Sequence, residues 1–301
     1  MTYSIVARDP ETGAFGVAVQ SHFFGVGPVV PWLRAGIGAV ATQALANVSL
    51  GPMGVALLAE GRPADAVLDA LVASEPDRDQ RQLGVVDRTG RAAAYTGSAC
   101  IRDAGHVVGD GFAVQGNLLR SASVWPAMAG AWTGAAELPF WERLLAVLDA
   151  GEAAGGDVRG RQSAALVIVD GTVRDDAWDG VLMNVRVDDH ADPLGELRRL
   201  ARMSAAYRMM GELESANDDA RPVEQRYADA RRLAPDAVEL AFWRALELGA
   251  AGDLVGARRE LGVCFAADPT WREALRRVAA AGLAGDDADR VEALLGLAAE
   301  P

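Results

Sequence analysis

The order of strand-like and helix-like segments is the feature that most limits the folds open to this chain. Two strand pairs flank short turns, since residues 3–9 and 14–20 enclose Pro10-Glu11-Thr12-Gly13, and residues 82–87 and 91–96 enclose Arg88-Thr89-Gly90. Further strands are predicted over 38–43, 106–117, 163–170 and 184–187, and helices over 51–60, 63–74, 121–133 and 138–150. This order lacks the βαβ alternation of a doubly wound fold. It predicts an α+β fold of antiparallel sheets with helices packed outside them.

The strand-like pattern ends at about residue 192. Asp192 and Pro193 are typical of a helix start, with a capping side chain before a proline in the first turn. Helix-forming Ala, Leu, Glu and Arg dominate from there on. The sequence therefore predicts two domains, an α+β domain over 1–195 and an all-helical region over 196–301.

An internal repeat is visible in the helical region. Pro235 and Pro269 both precede helical runs and lie 34 residues apart, the period of a tetratricopeptide repeat. In this register Gly211, Gly252 and Ala257 are expected at contacts between paired helices, where small side chains allow a close approach. The alternative is a helical hairpin extension with a coincidental period.

Composition argues against several classes of function. The formal charge is −13 and all 29 basic side chains are arginine, so nucleic acid and anionic membranes are not expected as partners. Cys100 and Cys264 lack CxxC spacing, which argues against a disulfide framework or a cysteine zinc site and is typical of a reducing compartment. No apolar run approaches the roughly 20 residues that span a bilayer, and the N-terminus lacks a signal-peptide pattern. We expect a cytoplasmic protein.

Thr2 is the first candidate for catalysis, because it follows Met1 and opens the first predicted strand. If Met1 is removed, one residue carries a hydroxyl nucleophile and a free α-amine. An α-amine titrates near pH ~8, so it can accept the hydroxyl proton without a histidine. Among the alternatives, a serine–histidine–aspartate triad is less favoured, because no GxSxG motif surrounds any serine.

Five sequence blocks resemble one known family. They are Ser4 to Asp9, GIGAVATQALAN ending at Asn47, Gly111 to Asn117, Gly155 to Ala165, and Val187 to His190. In this order they resemble a bacterial family of unknown function, DUF1028, which is grouped with the N-terminal-nucleophile (Ntn) hydrolases. The resemblance covers about residues 1–195.

The resemblance implies a four-layer αββα sandwich with a nucleophile at the start of the first strand, which is Thr2 here. Other Ntn hydrolases cleave amide bonds, so an amidohydrolase is implied by analogy of fold. In the proteasome-like branch a lysine steadies the site, and this chain has none. Arg8, Arg34 and Arg161 are the candidates for supplying the positive field.

Side-chain amides in the family-like blocks are candidates for stabilising an oxyanion or binding substrate. They are Gln43, Asn47, Gln115, Asn117 and Gln162. Ser4 points to the same side of the strand as Thr2 and is expected to support it by hydrogen bonding. Arg161, with Arg159, could hold an anionic substrate group. The alternatives are a turn or sheet-edge hydrogen bond for each amide and a solvated turn for the arginines.

Residues 188–192 (DDHAD) are the one dense group of potential metal ligands. Adjacent residues on a strand cannot all face one ion, so a strand end followed by a capped helix is favoured. Neither a metal nor a cofactor is predicted.

The leading hypothesis is an Ntn amidohydrolase acting on a small molecule or peptide. The alternative is a non-catalytic scaffold that uses the helical repeats to bind a protein. A homodimer is left open.

Overall fold

The computed structural model describes residues 2–176, 179–211 and 221–282. It divides into two compact units, Met1–Ser204 and Ala205–Pro301. Among the described residues, no helix combines the length and the apolar character needed to cross a bilayer.

The first unit contains two antiparallel sheets. The strands are β1 (Thr2–Arg8), β2 (Phe15–Ser21), β3 (Pro31–Arg34), β4 (Gly38–Ala44), β5 (Arg81–Asp87), β6 (Ala92–Thr96), β7 (Gly105–Gly109), β8 (Phe112–Asn117), β9 (Ser163–Val169) and β10 (Val181–Val187). A six-stranded sheet has the order β10-β9-β2-β1-β8-β7, and a four-stranded sheet has the order β3-β4-β5-β6. The α+β class and the antiparallel sheets are confirmed.

The two sheets pack face to face through one set of alternating side chains. Val6 of β1, Val17 of β2 and Ala113 of β8 meet Ala41 of β4 and Val86 of β5 in a fully buried cluster. Small residues keep this gap narrow. At Gly84 of β5 a Cβ would lie 2.5 Å from Oε1 of Gln115 and 2.9 Å from Cγ1 of Val6, so only glycine fits there.

Helices cover the outer faces of both sheets. They are α1 (Leu50–Ala59), α2 (Ala64–Ser74), α3 (Val124–Gly134) and α4 (Phe140–Ala153). Leu58 of α1 and Leu71 of α2 pack on Val40 and Leu83 of the four-stranded sheet. Helices α3 and α4 contact the six-stranded sheet, where the hydroxyl of Tyr3 donates to Glu152 Oε2 at 2.8 Å.

The prediction of one strand over 106–117 is wrong in detail. The chain turns at Gly109–Gly111, where Gly111 has φ +75°, and forms the hairpin of β7 and β8. Strand β3 has no counterpart among the predicted strands. It carries Pro31 and lies at the edge of its sheet, where a missing N–H is tolerated.

Helices make up the remainder of the described chain. They are α5 (Pro193–Met209), α6 (Val223–Leu233), α7 (Val238–Ala250), α8 (Leu254–Ala267) and α9 (Trp271–Ala280). Helix α5 begins at Pro193 as predicted, and the C-terminal helical region is confirmed.

The small residues of the predicted repeat take two different roles. Ala257 is fully buried in the cluster formed by α7, α8 and α9. Gly211 and Gly252 are instead exposed in turns after α5 and α7, with φ of +79° and +87°. The prediction of helix contacts at these two glycines is therefore wrong. A left-handed residue at a helix end favours glycine because it has no Cβ.

Candidate active site

Thr2 lines a cavity of about 650 Å³ in the first unit. It opens β1, a central strand between β2 and β8, and pairs in register with Asn117. The residue is 5% exposed, and its Oγ1 donates a hydrogen bond to Ser21 Oγ at 3.2 Å. The hydroxyl is therefore held in place at the wall of a space large enough for a small molecule.

A network of buried amides lies directly behind Thr2. Ser4 Oγ donates to Gln43 Oε1 at 2.7 Å and accepts from Gln115 Nε2 at 2.6 Å. Gln43 Nε2 in turn donates to Gln82 Oε1 at 2.8 Å. The three predicted residues Ser4, Gln43 and Gln115 are thus brought together, and each is 1% exposed or less.

Gln82 is the centre of this network. Its Oε1 accepts from both Gln43 and Asn117, the latter at 2.9 Å. Its Nε2 donates to the carbonyl of Gly116 at 2.7 Å and to Thr96 Oγ1 at 3.0 Å. Because residues of β1, β4, β5, β6 and β8 all contribute to these bonds, a shift of one amide would disturb the others.

The network also reaches the backbone of the candidate nucleophile. The carbonyl of Thr2 lies 3.4 Å from Gln43 Nε2 and 3.5 Å from Asn117 Nδ2, both of which point towards it as donors. Gln43 Nε2 and Asn117 Nδ2 thus both donate to Gln82 Oε1 and to the carbonyl oxygen of Thr2. The geometry therefore gives both amides a positioning role towards residue 2.

The cavity wall is largely apolar, with two arginines. Phe23, Val30 and Leu45 contribute apolar surface, and the charged residues that line it are Arg81 and Arg159. No carboxylate is among the lining residues that the structure describes. In a chain with a net charge of −13, such a lining disfavours a cationic ligand.

Both arginines are oriented by carboxylates outside the cavity. Arg81 pairs with Glu75 at 3.2 Å, and Arg159 pairs at 2.9 Å with Asp157, whose side chain is fully buried. A hydrogen bond from Asn47, together with Arg81, holds the pKa of Glu75 below its usual value. Glu75 therefore stays ionised and fixes the Arg81 guanidinium at the cavity.

Three predicted site residues lie apart from both the cavity lining and the amide network. Asn47 donates to Glu75 Oε2 at 2.6 Å, so it acts on Arg81 through that carboxylate. Arg161 pairs with Glu152 at 3.6 Å and with Asp192 at 3.3 Å. Gln162 donates to Asp189 Oδ1 at 3.1 Å.

The arginines expected to replace a lysine are also elsewhere. Arg8 ends β1, at the opposite end of that strand from Thr2, and Arg34 is exposed at the end of β3. The structure instead brings Arg81, the first residue of β5, and Arg159, in the turn before β9, to the cavity. Arg159 was expected beside Arg161 as a holder of an anionic group, whereas no sequence signal pointed to Arg81.

Gln82 and Ser21 are the polar residues that sequence reasoning missed. Gln82 alternates with Gly84 and Val86 on the inner face of β5, so one polar side chain interrupts a stripe of small and apolar ones. Such an interruption in a strand with period two is a usable signal for a buried polar site.

Ala44, at the end of β4, adds a backbone feature to the cavity wall. Its φ is +76°, a left-handed conformation that costs a non-glycine residue free energy. Strained residues of this kind cluster at functional sites. The N–H of neighbouring Ala46, another lining residue, finds no acceptor among the described residues.

Among the described residues, no three His, Cys, Asp or Glu side chains are grouped so that they could hold a metal ion. In the segment 188–192, His190 Nδ1 accepts from the N–H of Asp192 at 3.0 Å, just before α5.

Comparison with known proteins places the first unit in a family. The model of a family of unknown function, DUF1028, matches residues 2–197. The chain belongs to the DUF1028 family. The crystal structure of protein SPO2555 from Silicibacter pomeroyi, a DUF1028 protein, is similar at 33% identity and a TM-score of 0.59, covering 67% of this chain and 88% of that one. No match to a curated protein is found. The predicted resemblance is confirmed at the level of the family.

Proposed function

We propose that the DUF1028 domain is an N-terminal-nucleophile amidohydrolase and that Thr2 is its nucleophile. The observation that carries this proposal is the position of Thr2, which lines a cavity of about 650 Å³ while its carbonyl faces two buried amides. Two antiparallel sheets between helices also support the αββα sandwich of Ntn hydrolases. The proposal requires that Thr2 be the first residue of the mature protein.

The reaction proceeds in two steps, acylation of Thr2 and hydrolysis of the acyl-enzyme. Thr2 Oγ1 bonds to the amide carbonyl carbon, and its proton passes to the α-amine and then to the leaving nitrogen as the C–N bond breaks. Water then attacks the resulting ester and releases a carboxylic acid. Gln43 and Asn117 hold residue 2 in position. The N–H of Ala46 is the candidate donor to the oxyanion, because Ala46 lines the cavity and this N–H has no acceptor among the described residues.

The lining of the cavity narrows the substrate class. Apolar walls formed by Phe23, Val30 and Leu45 fit an apolar acyl group. Arg81 and Arg159 favour a neutral or anionic group on the remainder of the molecule. We therefore propose an amide with an apolar acyl chain and no positive charge as the substrate.

Labelling with an electrophilic β-lactone tests the nucleophile directly. We expect intact mass to show that Met1 is absent and one adduct to form at residue 2. The variant Thr2→Ser should keep the adduct, and Thr2→Ala should lose it together with turnover. Retained Met1 in protein that reacts at another residue would contradict the proposal.

Cys100 supplies the necessary control, because it lines the same cavity and a thiol also attacks β-lactones. Burial raises the pKa of this thiol, which lowers its reactivity at neutral pH. The variant Cys100→Ala should therefore label as the unsubstituted protein does. Loss of the adduct in Cys100→Ala, with an adduct retained in Thr2→Ala, would assign the reaction to the cysteine.

The alternative proposal is a non-catalytic scaffold whose C-terminal helices bind a partner protein. It is favoured by helices α7 and α8, of 13 and 14 residues, which are joined by a short turn and lie between Pro235 and Pro269 like one tetratricopeptide unit. Retention of Met1 together with absence of any label would favour this alternative. The cytoplasmic location stays a prediction, and a homodimer stays open.

A further inference from the structure

A second cavity lies at the other end of β1 from Thr2. Its volume is about 370 Å³, and its lining includes Arg8, Arg143 and Trp132. Thr2 and Arg8 are separated by six residue steps of roughly 3.3 Å, so their Cα atoms are about 20 Å apart. A ligand in this cavity is therefore separate from a substrate at Thr2.

Arg143 is held rigidly at this cavity. It comes from α4, is 9% exposed, and its guanidinium carbon lies 3.6 Å from the centroid of the Trp132 ring. Its Nε donates to the carbonyl of Trp132 at 2.8 Å. An arginine has five N–H donors. The other four of Arg143 have no acceptor among the described residues.

Arg8 is the second cation of the cavity and is less constrained by other side chains. None of its guanidinium N–H groups has an acceptor among the described residues, and Nε is buried. Gly13 leaves space for this side chain, since a Cβ there would lie 3.1 Å from Nη2 of Arg8. The backbone at Gly13 thus accommodates the guanidinium, which has no counter-ion among the described side chains.

The absence of an ion pair distinguishes these two arginines from the other sheltered ones. In the described part of Met1–Ser204, the other arginines that are not exposed are Arg81, Arg174 and Arg198, and each forms an ion pair. Neither Arg8 nor Arg143 forms an ion pair with any residue that the structure describes. Burial lowers the pKa of Arg143, and the nearby carboxylate of Asp9 offsets only part of this shift.

The polar groups of Asp110 and Thr89, which also line the cavity, do not pair with either arginine. The hydroxyl of Thr89 is directed to Asp87 Oδ1 at 2.6 Å. An unpaired buried charge is costly, and the planar fork of arginine matches the oxygens of phosphate and carboxylate groups.

We propose that this cavity binds a small molecule through a phosphate or carboxylate group held by Arg8 and Arg143. Bidentate hydrogen bonds from two guanidinium groups would satisfy donors that the protein leaves unused. The proposal does not depend on Thr2 or on hydrolysis.

Binding of inorganic phosphate and of succinate to the full chain tests the proposal. We expect a saturable rise in melting temperature and a measurable Kd by calorimetry, with sodium chloride at equal ionic strength as the reference. The tighter of the two probes identifies the preferred group. The variant Thr2→Ala should bind as tightly as the unsubstituted protein, since the two cavities are separate.

Substitutions of arginine locate the site. Arg8→Gln should weaken binding about 10- to 100-fold, because hydrogen bonds to a charged group are lost. Arg34→Gln is the matched control, since it removes one charge at an exposed residue without an ion pair, and it should leave Kd within about twofold. Arg143→Lys keeps the charge but loses the fork, so about tenfold weaker binding is expected.

Two results would overturn the proposal. One is the lack of saturable binding of either probe to the unsubstituted protein. The other is an equal loss of affinity in Arg8→Gln and Arg34→Gln, which would show a response to net charge alone. Should Arg143→Lys fail to fold, the comparison of Arg8→Gln with Arg34→Gln still decides.

Discussion

The space between the two sheets has two halves of opposite chemistry. Around Val6, the side chains of Ala41, Val86 and Ala113 fill it with apolar groups. One step along β1, around Ser4, it is filled by buried amides that bond to one another. The same strands build both halves, so the difference lies only in which side chains occupy the inner positions.

This difference separates stability from positioning. Apolar burial stabilises a fold at roughly 25 cal/mol per Å² and does not require a fixed geometry. A buried amide adds little net free energy even when its hydrogen bonds are made, but each bond fixes a direction. We therefore expect changes in the apolar half to affect unfolding and changes in the polar half to affect Thr2 as well.

The largest effect on stability is expected for Gln82→Leu, a change that nearly conserves volume. It leaves Gln43 Nε2 and Asn117 Nδ2 without their shared acceptor and removes the hydrogen bond that Gln82 Nε2 donates to the carbonyl of Gly116. The free energy of unfolding should fall by about 3 kcal/mol, and β-lactone labelling of Thr2 should slow. Urea denaturation and labelling rates check this. An unchanged labelling rate of Thr2 together with reduced stability would show that the polar half does not position Thr2, contrary to the proposed difference between the halves.

Val6→Ala is the matching change in the apolar half. Loss of two methyl groups from a fully buried residue should lower the free energy of unfolding by about 2 kcal/mol. Labelling of Thr2, measured well below the melting temperature, should stay unchanged. A large decrease in that rate would show that the apolar half also positions residue 2.

Ser4→Ala sharpens the comparison because it changes the next inner position of the same strand. It removes the donor to Gln43 Oε1 and the acceptor of Gln115 Nε2, and it should cost about 1.5 kcal/mol. We expect the labelling rate to fall severalfold, although less stability is lost than in Val6→Ala. Urea denaturation and labelling of Thr2 check this. The decisive result is that Val6→Ala loses more stability while Ser4→Ala loses more of the labelling rate.

The smallest effect concerns Tyr3, which faces the helices on the other side of β1. Burial raises the pKa of Tyr3 well above its usual value, and Glu152 adds to the shift. The folded state therefore keeps a proton that the unfolded chain releases from about pH 10 upward. This contribution to stability is present below pH ~10 and is lost as the pH rises towards the folded pKa. Tyr3→Phe should unfold with a weaker dependence on pH above 10, measured by urea denaturation.

Local signals predicted the hairpins of β1 with β2 and of β5 with β6, because turn residues and alternation occur within a few positions. They did not predict the break at Gly109–Gly111, since a glycine-rich run between apolar residues also fits a continuous strand. Strand β3 was missed because Pro31 argues against a strand unless the edge of the sheet is known.

The sequence predicted only part of the candidate site, because pairing between distant strands decides which of its residues meet. Thr2, Ser4, Gln43, Gln115 and Asn117 meet because β1, β4 and β8 are adjacent or opposed in space, as the family-like blocks suggested. Asn47 and Gln162 resemble them in sequence but face carboxylates. Gln82 could be placed only once β5 was known to lie across from β1 and β8, which is long-range information.

The glycine at position 84 ties the amide cluster to the width of the sandwich. Glutamine side chains have a fixed reach, so they span the interior only where the backbones of β5 and β8 come this near. A protein engineer who grafted the polar residues of this cluster onto another β-sandwich would also have to place a glycine at the position equivalent to 84. The polar residues are Ser4, Gln43, Gln82, Gln115 and Asn117. With any larger residue there, the two sheets would lie too far apart for all of the grafted amides to form their hydrogen bonds.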